Sequence, residues 1–442
     1  MSAVTHPSSN LTHCRAISSV ETNQPVFTPS SSQCCVYTDE EYTILPRIPN
    51  KSDLHEALEN QRFEEASRYI GSESETRLVE CFQGTEKFHK SCLHLIAAIR
   101  DSEQANKLCR QLLHRMRNRK NREYLLNMTT VDEFDMVGRK VRARVAAIHI
   151  AAYNGNAGVV RLLCQEYGVD ANCSISETLE EEPKKGITAL EWAARMGHTE
   201  VVKALLDNNA EVNVRRPTGV TPLHIAAQEG HTEVVKLLLD NSADVNGSKR
   251  TDGVTPLFIA AQNGHIEVVK LLLNNKGDVS ASKDTDGSTP LYVAAQNGHI
   301  EVMKLLLDNN ADVNASSPID GVTPVYIAAQ KGHKEVVKLL LDNKADVNAS
   351  RHTDGSTPLF TAADNGHIEV VKMLLDNNAD VNARCSDDGT TPLYIAAENG
   401  NTEVVKLLLD MKAKRNAKAR SGKKPVDAAR RNHHWGIVQL LK

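Results

Sequence analysis

Histidine is the residue type in this sequence with the most evident capacity for chemistry, because six histidines recur at one position of a repeating pattern. Imidazole can bind a metal or transfer a proton near neutral pH. A shared metal needs ligands within about 2 Å of one ion, whereas one histidine per repeat spaces the rings roughly 10 Å apart along a stack of helices. We therefore interpret these histidines as structural groups that cap and brace the turn between two helices. They are His198, His231, His265, His299, His333 and His367.

Sequence patterns that would indicate an enzyme are missing. The 442 residues contain no phosphate-binding glycine-rich loop, no G-x-S-x-G, no H-E-x-x-H and no kinase signature set. The nine cysteines form no C-x-x-C pair, which argues against a zinc site or a disulfide framework and favours a reducing compartment. No run approaches the ~18 apolar residues that a membrane helix needs. We predict a cytoplasmic, non-enzymatic protein with no cofactor, no metal and no membrane contact.

An internal repeat specifies the elements that must position these residues. The unit that begins at Thr255 is T-P-L-F-I-A-A-Q-N-G-H-I-E-V-V-K-L-L-L-N-N-K-G-D-V-S-A. Weaker units begin at Ala146 and Thr188, a truncated unit begins at Lys424, and eroded ones begin at Ser52 and Ser91. Thr-Pro opens a unit at intervals of 34 residues, at Thr221, Thr255, Thr289, Thr323, Thr357 and Thr391.

This pattern resembles the ankyrin repeat, whose signature is T-P-L-H-x-A-A-x-x-G-H-x-E-V-V-x-L-L-L-x-x-G-A-D-V-N-A. The resemblance implies an all-α fold with short β-hairpin fingers, in which helix-turn-helix units stack into a solenoid. We divide the chain into a disordered segment 1–50, a helical region 51–145 with two degenerate ankyrin-like repeats, and an ankyrin-repeat array 146–442. Units of the array start near 146, 188, 221, 255, 289, 323, 357, 391 and 424.

The residue types of one unit predict the same elements on physical grounds. Thr221 is a good helix N-cap, and Pro222 suits the first helical position because its missing N–H needs no partner there. Gly230 ends this helix in the left-handed conformation. Glu233 lies in the first turn of a second helix, where the helix dipole favours a negative charge. The apolar face of that second helix is too broad for one partner helix, so neighbouring units must stack.

Two departures from the family pattern affect the loops. The period is one residue longer than usual, and the extra residue falls between Asn246 and Gly253, which predicts longer fingers. The glycine that usually follows the second helix is replaced at every unit from 188 to 391. Asparagine tolerates a left-handed backbone there, whereas lysine adopts it at some cost. The replacing residues are Asn209, Ser242, Lys276, Asn310, Lys344, Asn378 and Lys412.

Two sets of residues are candidates for binding a partner. One is the column that follows Thr-Pro-Leu, in which aromatic rings replace the usual histidine after the first copy. The rings either offer contact area to a partner or pack between successive repeats, and we favour packing. The other set lies in the fingers, where the copies differ most from each other. The column holds His224, Phe258, Tyr292, Tyr326, Phe360 and Tyr394, and the finger candidates are Lys249, Arg250, Lys283 and Arg351.

Charge helps to choose among partners. Residues 411–442 carry ten Lys or Arg against one acid, while the whole chain has a net charge of −4. This basic end resembles a nuclear address, but we interpret it as the solvated face of a capping repeat. We expect a monomeric scaffold or adaptor in signalling that binds other proteins, rather than nucleic acid or a small molecule. The alternative is a regulatory inhibitor that masks a signalling or transcription factor, and a nuclear location stays open with it.

Overall fold

The computed structural model describes residues 53–73, 91–127, 129–136, 139–175, 186–249 and 251–442. All of them belong to one compact unit, Tyr42–Lys442. The predicted disordered segment 1–50 and the finger residue Arg250 lie outside the described residues. Within the described part of the chain, no helix is both long and apolar enough to cross a membrane.

From residue 147 onward the chain alternates two rows of short helices, as expected for a helix-turn-helix solenoid. We call the first helix of each unit the inner helix and the second the outer helix. The inner helices are Ala147–Tyr153, Ala189–Met196, Pro222–Glu229, Pro256–Asn263, Pro290–Asn297, Pro324–Lys331, Pro358–Asp364, Pro392–Asn399 and Pro425–Arg431. The outer helices are Ala157–Arg161 (continued by the π-turn Leu162–Glu166), Thr199–Leu206, Thr232–Asp240, Ile266–Asn274, Ile300–Asp308, Lys334–Asp342, Ile368–Asp376, Thr402–Asp410 and Trp435–Leu440.

The predicted caps delimit these helices. Thr221 Oγ1 accepts the backbone N–H of His224, and Pro222 occupies the first turn. Gly230 ends the inner helix with φ of 78°. After the outer helices, the seven residues that replace the family glycine all have positive φ, between 62° and 68°. The left-handed position is therefore kept in every repeat, including the three in which lysine occupies it.

The core of the array is a continuous layer between the two rows of helices. In one outer helix Val234, Val235 and Leu238 are at most 1% exposed, and the two alanines of the facing inner helix, Ala226 and Ala227, are fully buried. The small alanines allow the inner helices of neighbouring repeats to approach closely. Each repeat therefore depends on its neighbours for burial, as in other linear arrays.

The segment before the array is also helical. Its helices are Asp53–Glu59, Phe63–Ser72, Cys92–Ala97, Ser102–Arg115 and Arg119–Asn127, followed by an antiparallel hairpin of Thr129–Met136 with Arg139–Ala146. Ser91 Oγ lies 2.5 Å from His94 Nδ1, and His94 Nε2 lies 3.2 Å from the carbonyl oxygen of Val145. His224 makes the equivalent pair of contacts, to Thr221 and to the carbonyl of Val254. This geometry supports a degenerate repeat that begins at Ser91.

The fingers differ from regular β-hairpins. Short strands pair at Ser174–Ile175 and Ile187–Thr188, within the enlarged finger of the first unit. The later fingers are turns closed by two backbone hydrogen bonds, such as Lys249 N–H to the Val254 carbonyl at 3.0 Å and Gly253 N–H to the Lys249 carbonyl at 2.9 Å. Only one pair of residues faces across each of these turns, which is too few for a strand ladder.

Candidate partner-binding groove

Inner helices and fingers together line a groove of about 760 Å³ across the units that begin at 221, 255 and 289. The helices contribute amide side chains and Tyr292, and the fingers contribute two lysines and two aspartates. A rigid frame of repeats with polar groups directed into one groove is a common arrangement for recognition. The residues used below are Gln228, Gln262, Gln296, Tyr292, Lys249, Lys283, Asp252 and Asp286.

The aspartate of each Asp-Gly finger tip shapes the groove wall. Asp286 Oδ1 accepts both the N–H and the hydroxyl of Ser288, at 3.0 and 2.6 Å, which closes an Asx turn. Burial alone would raise the pKa of Asp286, but hydrogen bonds from Ser288 and Lys283 outweigh it and hold the pKa below its ordinary value. Neighbouring fingers are also joined, since the N–H of Asp284 donates to the carbonyl of Asp252 at 2.8 Å.

The finger cations differ in how they are neutralised. Lys283 Nζ lies 3.2 Å from Asp286, and Arg351 lies within 4 Å of both Asp320 and Asp354. Lys249 is half-buried and forms no ion pair or side-chain hydrogen bond with any described residue. Burial lowers the pKa of Lys249, against the attraction of nearby Asp252. Among the described residues that line the groove, Lys249 is therefore the finger cation that forms no ion pair, although Asp252 attracts it from beyond ion-pair distance.

The aromatic column divides into buried and partly exposed members. Phe258, Tyr326 and Tyr394 are 3 to 5% exposed, and Tyr326 Oη lies 2.9 Å from Ser356 Oγ of the next repeat. Burial of these three rings agrees with packing between repeats. Tyr292 and Phe360 are half-buried.

Two members of the column show how the local surroundings change an otherwise repeated position. His224 is only 1% exposed, and both of its ring nitrogens have protein partners. Tyr292 forms no side-chain hydrogen bond with a described residue. Burial, with Asp320 and Asp286 nearby, raises the pKa of Tyr292 to about 12, so its hydroxyl stays protonated.

The recurring histidines brace successive repeats. His299 Nε2 donates to the carbonyl of Gln262 at 3.0 Å, and the other members repeat this bond to the preceding inner helix. The ring also covers the preceding glycine, so that a Cβ placed on Gly264 would lie 2.7 Å from His299 Nδ1. The side chains do not cap their own helices. In the described part of the chain, no three or more His, Cys, Asp or Glu residues come together as a possible metal site.

Sequence reasoning could not distinguish Lys249 from Lys283. Both occupy the same finger position, and only the contacts distinguish the paired lysine from the unpaired one. Sequence reasoning also missed the role of the finger aspartates, although the recurring Asp-Gly is the signal of an Asx turn and is followed by a hydroxyl residue at Ser288, Ser356 and Thr390.

Comparison with known proteins identifies the class of this array. The family profile described as "Ankyrin repeats (3 copies)" matches residues 54–216, 148–249, 223–317, 315–385 and 383–442. The chain therefore belongs to the ankyrin-repeat family, whose members are generally protein–protein interaction modules. A similar solved structure is the crystal structure of the human ASB11 ankyrin repeat domain. It is 31% identical, with a TM-score of 0.46, and the match covers 52% of this chain and 99% of that one.

Proposed function

We propose that this protein is a non-enzymatic scaffold or adaptor that binds partner proteins in the groove between its inner helices and fingers. The observation that carries the proposal is the groove itself, in which several hydrogen-bonding side chains have no partner among the described residues. Such groups favour a polar, hydrated interface, which is compatible with specific binding. The rigid array holds them in place, so little ordering is needed when a partner binds.

The cysteines support a non-enzymatic role and a reducing location. None of the described cysteines forms a disulfide, and Cys92, Cys109 and Cys385 are buried. Burial raises the pKa of Cys109 to about 12, which leaves it protonated and a poor nucleophile at neutral pH. A cytoplasmic monomer is the form in which we expect the protein to act.

A pull-down from cell lysate with matched variants of the full chain tests the proposal. The groove variant carries Gln262→Arg and Gln296→Arg, which add bulk and charge to the inner helices. The control variant carries Lys270→Glu and Lys338→Glu, which change exposed positions on outer helices of the same array. We expect the groove variant to lose specific partners that the wild type and the control retain. Equal capture by all three would contradict the proposal.

A further inference from the structure

Lys249 is in an unusual position for a lysine of this array. Its side chain is half-buried against the groove, and no described residue gives it an ion pair or a hydrogen bond. Lys283, at the same position of the next finger, is paired with Asp286 at 3.2 Å. A partly desolvated ammonium that forms no ion pair is unfavourable, and Asp252 attracts Lys249 without bonding to it. A ligand carboxylate at this place would therefore supply the missing bond.

Further unused groups lie beside Lys249 in the same groove. The side-chain amides of Gln262 and Gln296, and the hydroxyl of Tyr292, form no hydrogen bond with any described residue. Tyr326, one repeat further on, bonds Ser356 and is buried. The unused groups of this groove belong to the units that begin at 221, 255 and 289.

These groups suit the backbone of an extended chain. A glutamine amide has both a donor and an acceptor, and an extended segment presents free N–H and C=O groups along its length, unlike a helix. Inner helices stack roughly 10 Å apart, so the span from the first of these units to the third is about 20 Å. A strand rising about 3.3 Å per residue covers that distance with about six residues.

We propose that this part of the groove binds an extended peptide segment of a partner protein and places an aspartate or glutamate of that segment on Lys249. The inference rests on the proposed protein-binding function and specifies the chemistry of its ligand. The segment lies along Gln262, Gln296 and Tyr292, which bond its backbone. Its carboxylate forms with Lys249 the ion pair that Asp286 forms with Lys283.

The test uses the full chain and libraries of random octapeptides, one linear and one closed by flanking cysteines. We expect linear peptides to be selected, with Asp or Glu enriched at one position. Lys249→Met should weaken a selected peptide about tenfold, because a charge-assisted hydrogen bond is lost. Lys249→Arg should keep the affinity within a few-fold. Lys283→Met is the matched control, and we expect it to change the affinity less than twofold.

Several results would overturn the inference. One is selection without acidic enrichment, and another is equal weakening by Lys249→Met and Lys283→Met. Selection of closed peptides alone would contradict the extended geometry. Any of these results leaves the proposed function intact if the pull-down still depends on Gln262 and Gln296. Thermal unfolding of each variant shows whether the fold is retained, and Lys249→Arg keeps the charge test valid if the Met variant unfolds.

Discussion

Replacing Ser280 with asparagine is expected to stabilise the array by up to about 1 kcal/mol, because Ser280 interrupts a column of asparagines that joins successive repeats. In six other repeats an asparagine Oδ1 accepts a backbone N–H of the following repeat, at 2.7 to 2.8 Å. No side chain of the described residues accepts the N–H of Asp312, the partner that Ser280 leaves unbonded. The column consists of Asn172, Asn213, Asn246, Asn314, Asn348 and Asn382.

The magnitude follows from the contacts of Asn348. It accepts the N–H of Asp380 at 2.8 Å and donates to the carbonyl of Asn378 at 3.4 Å. Two such bonds contribute about 1 to 2 kcal/mol, and ordering the side chain costs about 0.5 to 1 kcal/mol. Ser280 also gives up its hydroxyl bond to Asp278. The net gain is therefore about 1 kcal/mol at most.

Hydrogen–deuterium exchange of the full chain measures this change in local stability at the amide that gains the bond. In Ser280→Asn, the amide of Asp312 should exchange up to about fivefold more slowly, since 1 kcal/mol of local stability corresponds to that factor. The matched variant Asn348→Ser should accelerate exchange at Asp380. Unchanged exchange at Asp312 in the first variant, with unchanged unfolding by urea, would refute the reasoning.

Pro318 removes a second bond at the same junction between repeats. In neighbouring fingers a backbone N–H at this position donates to the preceding finger, as His352 does to the carbonyl of Asp320 at 2.6 Å. Proline has no N–H to donate. Pro318→Ala would gain that bond. It would also raise the conformational entropy of the unfolded chain, which lowers the free energy of unfolding by about 0.4 to 1 kcal/mol. The two effects nearly cancel, so Ser280 is the more informative position.

Three further predictions concern single residues. Gly264→Ala should destabilise the protein by about 2 kcal/mol or more in urea unfolding, because the added Cβ would lie 2.7 Å from His299. The control Gly422→Ala should cost only about 1 kcal/mol, because φ is similar there and no atom lies within 4 Å of the added Cβ. Lys344→Gly should stabilise the protein by about 1 kcal/mol, since φ is 65° there, and a lower urea midpoint would contradict this. His224→Phe should reduce acid sensitivity: burial lowers the folded pKa of His224 to about 4. The unfolded state, in which the histidine has an ordinary pKa of about 6.5, takes up the proton first as the pH falls. The free energy of unfolding therefore decreases by up to about 3 kcal/mol between pH 6.5 and 4. Urea midpoints at pH 7 and 4.5 should differ less in the variant, and an equal difference would show that His224 is not responsible.

The helices and their ends could be predicted from single residues. Thr221 and Gly230 have strong local preferences that the surrounding structure does not override. The left-handed residues after the outer helices were also predictable, because the repeat aligns Asn209 and Lys276 with a position that the family fills with glycine. Their φ values of 62° and 65° confirm this.

The groove could be predicted only in part. Finger positions and helix amides follow from the repeat, but ion pairing depends on side-chain placement that the sequence does not specify. Lys249 and Lys283 illustrate this, since one is unpaired and the other bonds Asp286. The burial of the Tyr292 and Tyr326 side chains likewise depends on the neighbouring finger, although the two tyrosines share one position in the repeat.

Site-specific photo-cross-linking in cells tests the central claim most directly. A photoreactive residue is placed at Gln262, which is exposed in the groove, or at Lys270, which is exposed on the outer helix of the same repeat. We predict that Gln262 cross-links discrete partner proteins and that an excess of unmodified chain reduces the yield, whereas Lys270 gives none. Equal cross-linking at both positions, or cross-linking at Lys270 alone, would contradict a function carried by the groove.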